Sequence, residues 1–244
     1  MKDNISKSLL RKNFSSHQSP QKPHWIKVPI YSSKTDEVKR TLKLNRIVTV
    51  CEEAMCPNIS SCWSKKHATF MILGDTCTRS CSFCNIQTGK PNPIDPLEPI
   101  RVANSVKQLG LTHVVITSVD RDDLDDGGAQ HFYETINQIK KKCIDTTIEI
   151  LTPDFKNKPS AIEIISKCPI DVFNHNMETV QSLYRQIRPG ADYEWSLQLI
   201  KSFKSIAPEV PTKSGIMLGF TETKDEVKQT LYDLVSADCD MVTL

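Results

Sequence analysis

From position 69 onward, short apolar runs alternate with stretches in which apolar residues recur every three or four positions. Thr69-Phe70-Met71-Ile72-Leu73 is the first run, and others lie at 113–119, 148–152, 172–176, 215–219 and 241–244. Unbroken runs of this length read as strands covered on both faces. Between them, Val102, Val106 and Leu109 share one helical face that Gly110 closes, and Phe132, Ile136, Ile139 and Cys143 share another. Helical patterns also fall at 161–167, 177–187, 194–206 and 225–237, with a loop at Asp125-Asp126-Gly127-Gly128 before the helix at 129–142. Six strand-then-helix steps predict parallel strands joined by right-handed crossovers, a partial (β/α)6 TIM-like barrel of the α/β class. In such a barrel the working groups stand at the carboxyl ends of the strands.

The amino-terminal part lacks this rhythm. Residues 1–22 are rich in Ser, Asn and Lys and predict a disordered tail, after which Trp25 reads as an anchor on the body. A short helix is expected within 35–47, where Val38, Leu42 and Leu44 are the apolar positions. The division expected is a tail at 1–22, an extension at 23–68 that bears cysteines, and a barrel at 69–244.

Composition narrows the class further. At 39% hydrophobic residues and net charge +2, the 244-residue chain has apolar material for a core and no strong basic surplus. That balance argues against nucleic acid as a partner. No run approaches the roughly 18 apolar residues of a membrane span. An odd count of nine cysteines does not read as a secreted disulfide framework. A reducing compartment is expected, the bacterial cytoplasm, with the mitochondrial matrix as the alternative because the tail partly fits a transit peptide.

Six of the nine cysteines crowd into positions 51–84. Cys77, Cys81 and Cys84 are spaced C-x3-C-x2-C directly after the first predicted strand, and Cys51, Cys56 and Cys62 are spaced C-x4-C-x5-C upstream. The downstream three also fit one helix face, but Gly74, Asp75 and Thr76 interrupt the approach and polar residues separate the thiols. Thiolates are soft ligands suited to iron–sulfur clusters, and three of them leave one iron open for a substrate or cofactor. Zinc is the rival reading, although Cys81/Cys84 is the one paired C-x2-C element.

The neighbours of the cysteines carry a resemblance. Cys51-Glu52-Glu53-Ala54-Met55-Cys56-Pro57-Asn58, Ala68 through Gly74, Cys77-Thr78-Arg79, Ser118-Val119-Asp120-Arg121-Asp122-Asp123, Asp171-Val172-Phe173-Asn174-His175-Asn176, Arg188-Pro189-Gly190 and Thr212-Lys213-Ser214-Gly215 are the motifs concerned. C-x3-C-x2-C after a first strand resembles the radical S-adenosylmethionine superfamily, and the full set resembles its lipoyl synthase family. The resemblance implies a sulfurtransferase that installs two sulfur atoms in an octanoyl chain carried on a lysine. It implies two 4Fe–4S clusters: one on Cys77, Cys81 and Cys84 that binds S-adenosylmethionine, and an auxiliary, sulfur-donating one on Cys51, Cys56 and Cys62. An unactivated C–H bond offers no acidic proton, so a radical rather than a general base has to open the reaction. The implied partners are an octanoylated lipoyl carrier domain or H protein and a reduced ferredoxin- or flavodoxin-type donor. The family chain continues past the sixth strand to an Arg-Ser-Ser-Tyr motif whose serine caps the auxiliary cluster, and no such motif occurs among these 244 residues. A partially active radical fragment and a zinc-binding α/β module without catalysis are therefore the competing functions. Biotin synthase is similar in the downstream triplet but does not carry an auxiliary site at the upstream one.

Ser118, Asp120, Asn174, Asn176 and Arg188 match these motifs at predicted strand ends or in the loop after the fourth strand, and are candidate contacts to S-adenosylmethionine. Helix capping or pairing within the barrel mouth is the alternative for each. Asp122, Asp123, Asp125 and Asp126 suit an acidic helix start better than a cation site. Cys143, Cys168 and Cys239 read as small buried apolar groups. His113, His131 and His175 read as structural, with His175 nearest the working end. Lys140-Lys141-Lys142 reads as a solvated helix end, with an acidic carrier-docking site as the sharper alternative. Both cysteine triplets are expected at the barrel mouth.

Overall fold

The computed structural model describes residues 33–44, 48–53, 56 and 58–244. The expected tail at 1–22 and the anchor Trp25 lie outside the described residues. In chain order the elements are α1 (Ser33–Leu44), β1 (Val48–Thr49), α2 (Val50–Glu53), α3 (Ile59–Ser64), β2 (His67–Ile72), β3 (Thr76–Cys77) and β4 (Gln87–Thr88). There follow α4 (Glu98–Leu109), β5 (His113–Ser118), α5 (Ala129–Lys142), β6 (Thr147–Leu151), α6 (Pro159–Ile165) and β7 (Val172–Asn174). The chain continues with α7 (Tyr184–Ile187), α8 (Tyr193–Ile206), β8 (Thr212–Gly215), α9 (Lys224–Ser236) and β9 (Met241–Thr243). The main sheet runs β1-β2-β5-β6-β7-β8-β9, with six parallel strands from β2 to β9 and β1 antiparallel at the edge. This is the partial α/β barrel that the periodicity predicts.

Side-chain alternation divides the sheet into two faces. Phe70, Ile116, Ile150, Phe173 and Thr212 are register partners in successive strands and all are fully buried. Phe173 stacks on Phe203 of α8 with ring centroids 4.0 Å apart, so this row faces the helices. The next row, Met71, Thr117, Leu151, Asn174 and Lys213, faces the interior. One row therefore makes the core, and the other furnishes the lumen.

Local signals set the helix ends. Pro99 stands in the first turn of α4, and Gly110 ends that helix at φ +56°. Asp192 caps α8 by accepting from Trp195 N, and Thr223 with Glu226 forms a capping box on α9.

Two segments differ from expectation. The fifth parallel strand is Thr212–Gly215 rather than 215–219, because the residues that fit beneath the helices are the small polar Thr212 and Ser214, whereas Leu218 is exposed. The stretch 177–187 is not one helix. Glu178 bridges to Ile216 alongside β8, and helical turns occupy only Gln181–Leu183 and Tyr184–Ile187.

Candidate functional site

The cysteine loop leaves the carboxyl end of β2 through a sharp turn, with Leu73 at φ +69° and Gly74 at φ +93°. Its two ends are tied together: β3 pairs with β4, and Gly89 N donates to Cys77 O at 3.0 Å. Its middle is tied to the barrel, with Thr78 N donating to Asp120 O at 3.1 Å and Ser82 N to Ile187 O at 2.9 Å. Cys77, Cys81 and Cys84 consequently line one cleft at the carboxyl ends of the strands, together with Ser118, Asp120, Thr152, Asn176, Glu178 and Arg188.

Two backbone amides point at the Cys77 sulfur, whose thiol in turn lies 3.5 Å from Asp120 Oδ2. Arg79 N lies 3.4 Å from Cys77 Sγ and Asp120 N lies 3.3 Å from it, and both backbone amides donate. Such donors stabilise a metal-bound thiolate. As a free thiol, Cys77 is pushed up to about 12 by burial and then by Asp120, and Cys81 to about 11 by burial. Neither is a spontaneous nucleophile at neutral pH, and coordination is what would deprotonate them.

Arg79, enclosed between two of these cysteines, is buried. Its guanidinium forks onto Asp122 (Nε–Oδ2 2.9 Å, Nη2–Oδ1 2.8 Å) and onto Asp154 (Nη1–Oδ2 2.9 Å, Nη2–Oδ1 2.6 Å). Burial pulls the arginine's pKa down, and the hydrogen bonds to Asp122 and Asp154 more than reverse it. The same arginine overcomes burial to hold Asp154 below the ordinary carboxylate range. Asp120, 3.5 Å from Arg79, is instead raised by burial.

The candidate contacts divide. Ser118, Asn176 and Arg188 line the cleft, whereas Asn174 does not and gives its amide to Glu149 at 2.9 Å. Arg188 is anchored by Nη1, which donates to Asn176 O and to Tyr184 Oη, both at 2.8 Å. Around the cleft, Ser118 Oγ, Thr152 Oγ1 and Arg188 Nε are buried without a hydrogen-bond partner, while Asp120 Oδ1 has only the 3.5 Å ion pair with Arg79. Three unpartnered polar atoms beside one cleft suit a polar ligand or ordered water.

The acidic run is absorbed by the fold. Asp122 holds Arg79, Asp123 holds Arg121, and Asp126 accepts from Gly128 N and Gln130 N at the start of α5. Lys140 pairs with Asp171 and Lys142 donates to Asn104, so both are engaged within the chain. His131 bonds Glu98, His113 lies 3.8 Å from Glu149, and His175 is fully buried with Nδ1 against Thr152 O.

Cys51, Cys56 and Cys62 gather separately: Cys56 N donates to Cys51 O, and the thiols of Cys56 and Cys62 act electrostatically on that of Cys51. Cys77, Cys81 and Cys84 line the cleft at the strand ends, whereas Cys51 stands lower along β2. Because β1 runs antiparallel to β2, the chain beyond Thr49 turns away from the carboxyl ends, and Cys51 meets the backbone of Thr69. Thr69 lies three residues before the end of β2, roughly 10 Å down the strand. Among the described residues, no three His, Cys, Asp or Glu side chains close on a point that suits a single ion.

Sequence reasoning missed Arg79, Thr152, Asp154 and Glu178. The available signal was Arg79 itself, a charge inside a loop whose cysteines must be partly buried.

Residues 71–234 match the model of the Radical SAM superfamily. The lipoyl synthases of Xylella fastidiosa strains 9a5c and M12 are each 58% identical to the chain over 228 residues, which is 92% of the chain and 61% of the relative. The chain thus spans about three fifths of the length of these curated relatives. Among solved structures, the FeFe-hydrogenase maturase HydG from Carboxydothermus hydrogenoformans superposes with TM-score 0.58 at 13% identity, covering 86% of the chain and 56% of HydG. Methylornithine synthase (PylB) superposes with TM-score 0.57 at 15% identity, covering 89% of the chain and 61% of that protein. At these identities the structural likeness speaks to the fold alone.

Proposed function

The chain belongs to the radical S-adenosylmethionine superfamily, and from that premise we propose that it carries the two-cluster core of a lipoyl synthase. The carrying observation is the cleft at the strand ends, where three free cysteines meet buried polar atoms that lack partners. The donor set fits a cluster: soft ligands on one closed loop, with two backbone amides aimed at Cys77 Sγ.

Cys77, Cys81 and Cys84 hold one 4Fe–4S cluster, and Cys51, Cys56 and Cys62 hold the auxiliary one. When bound, the first supplies the electron that cleaves the sulfonium of S-adenosylmethionine, and so a radical able to take hydrogen from an unactivated C–H bond. The protein's part is placement. Ser118 Oγ, Thr152 Oγ1 and Arg188 Nε have free hydrogen-bonding capacity for the amino, carboxylate and ribose groups of S-adenosylmethionine, with Asn176 beside them. Met71, Val119 and Leu151 present apolar surface to the same cleft.

The substrate is an octanoyl chain on a lysine of a lipoyl carrier domain or H protein, and the electron comes from a reduced ferredoxin- or flavodoxin-type protein. No helix among the described residues is long and apolar enough to cross a membrane. Nine free cysteines suit a reducing compartment, the bacterial cytoplasm.

The test is anaerobic incubation of the reconstituted chain with an octanoylated peptide, dithionite and S-adenosylmethionine. Peptide mass and 5′-deoxyadenosine are read together. Deoxyadenosine with sulfur added to the peptide supports the full reading. Deoxyadenosine alone supports the radical site without the sulfur-donating one, and neither product on an iron-loaded chain overturns the proposal.

A further inference from the structure

Outside the cleft, a part-buried pair, Glu98 and His131, meets the residue at which the cysteine loop begins. Leu73 is the last residue before the loop and is 3% exposed, in a left-handed conformation that a Cβ-bearing residue does not adopt unaided. Three side chains hold it there. Glu98 Oε2, from the first turn of α4, accepts from Leu73 N at 2.8 Å. The same oxygen takes His131 Nε2 of α5 at 2.6 Å. Arg121 Nη1 donates to Leu73 O at 3.3 Å, and Asp123 fixes that guanidinium bidentately. At the start of α5, a Cβ on Gly128 would overlap the Leu73 side chain, so the helix closes directly against the turn.

We propose that Glu98 and His131 are positioning residues that set the direction in which the chain leaves β2, and thereby place Cys77, Cys81 and Cys84 over the cleft. Neither residue lines the cleft. Both act through the Leu73 amide, four residues before Cys77. The arrangement makes two helices and the end of a strand meet at one carboxylate oxygen. The loop turns at Gly74 and is next held by Thr78 and Ser82, so the pin at Leu73 is the first of its attachments and sets the direction in which it approaches the others. The role assigned to the loop rests on the cluster reading above, whereas the pin at Leu73 stands independently of it.

The test uses the reconstituted chain with E98A, E98Q and H131L. Hydrogen–deuterium exchange is read by mass spectrometry over peptides spanning 70–84, and electron paramagnetic resonance of the reduced cluster is read with and without S-adenosylmethionine. Losing a hydrogen bond to a charged acceptor makes local opening roughly ten- to a hundredfold easier. E98A therefore exchanges the Leu73 region faster by about that factor, with the strand at 147–151 unchanged. It also keeps its iron but loses the spectral change on S-adenosylmethionine addition. E98Q retains an acceptor oxygen and restores both readouts towards wild type, and H131L shows a smaller shift in the same direction as E98A. Wild-type exchange at 70–84 in E98A and H131L overturns the pin. Faster exchange with an unchanged spectral response overturns its role in placing the cysteines. If E98A does not fold, H131L against wild type decides in the same way. A wild-type chain with no response to S-adenosylmethionine refutes the cluster reading, and the exchange data still judge the pin.

Discussion

Replacing Arg79 with methionine keeps most of the side-chain volume and removes the cation that Asp122 and Asp154 share. The Asp154 side chain is 0% exposed and that of Asp122 18%, so R79M leaves one carboxylate fully buried and a second largely so, with only the half-exposed Lys156 ammonium, 3.9 Å from Asp122, as a remaining paired cation. Breaking a buried pair in this way costs about 3–5 kcal/mol. Against a typical stability of about 5–15 kcal/mol, that is a third or more of the total. The pH dependence should change sign. In the wild type, Asp154 is held below its ordinary value, so its contribution is present above the unfolded pKa of about 3.9 and is lost only as pH falls through the folded value. Without Arg79, burial acts with less opposition, since Lys156 N remains a donor at 2.8 Å, and the carboxyl pKa rises. The Asp154 contribution to the stability of R79M is then greatest in acid and is lost as pH rises through that raised value. Urea unfolding of the reduced, cluster-free chain, followed by circular dichroism at pH 7.5 and 5.0, measures both effects. A loss under about 1 kcal/mol at pH 7.5, or a larger loss at pH 5.0, would refute the account of this network.

Three further outcomes are expected. His175 is depressed to about 4 by burial and next by Arg188, so its neutral ring stabilises the fold above the ordinary value of 6.5. About 3 kcal/mol should drain away as pH falls from 6.5 through 4, and H175Q should lack that part of the slope in urea midpoints. F173A removes the ring stacked 4.0 Å from Phe203 and should cost about 3–5 kcal/mol by thermal or urea unfolding. S118A and T152V each remove one orphaned hydroxyl of the cleft and should weaken S-adenosylmethionine binding by roughly two- to tenfold in calorimetry, with little change in stability.

Much of the barrel can be read from the order of residues because its core strands are apolar and β-branched. Phe70, Ile116, Ile150 and Phe173 announce their strands. The fifth strand cannot be read in this way. Its buried positions are Thr212 and Ser214, while the more apolar 215–219 runs on past the sheet. Spacing identifies the cysteine triplets, since ligand chemistry demands crowding that packing does not. The lower position of Cys51 is invisible to spacing, because the antiparallel pairing of Val48–Thr49 with Phe70–Met71 is a tertiary fact. The Arg79 network is hidden for a similar reason: its aspartates lie 43 and 75 residues away and meet it only through parallel strands. Asn174 has a motif position suited to ligand binding, yet its amide is bonded to Glu149.

The central claim is that Cys77, Cys81 and Cys84 bear a cluster that takes S-adenosylmethionine. Iron and sulfide analysis with electron paramagnetic resonance, on the anaerobically reconstituted chain and on the C77A/C81A/C84A variant, tests it most directly. The account predicts about eight irons falling to about four, with the spectral response to S-adenosylmethionine abolished. A triple variant that keeps the wild-type iron content, or still responds to S-adenosylmethionine, would contradict it.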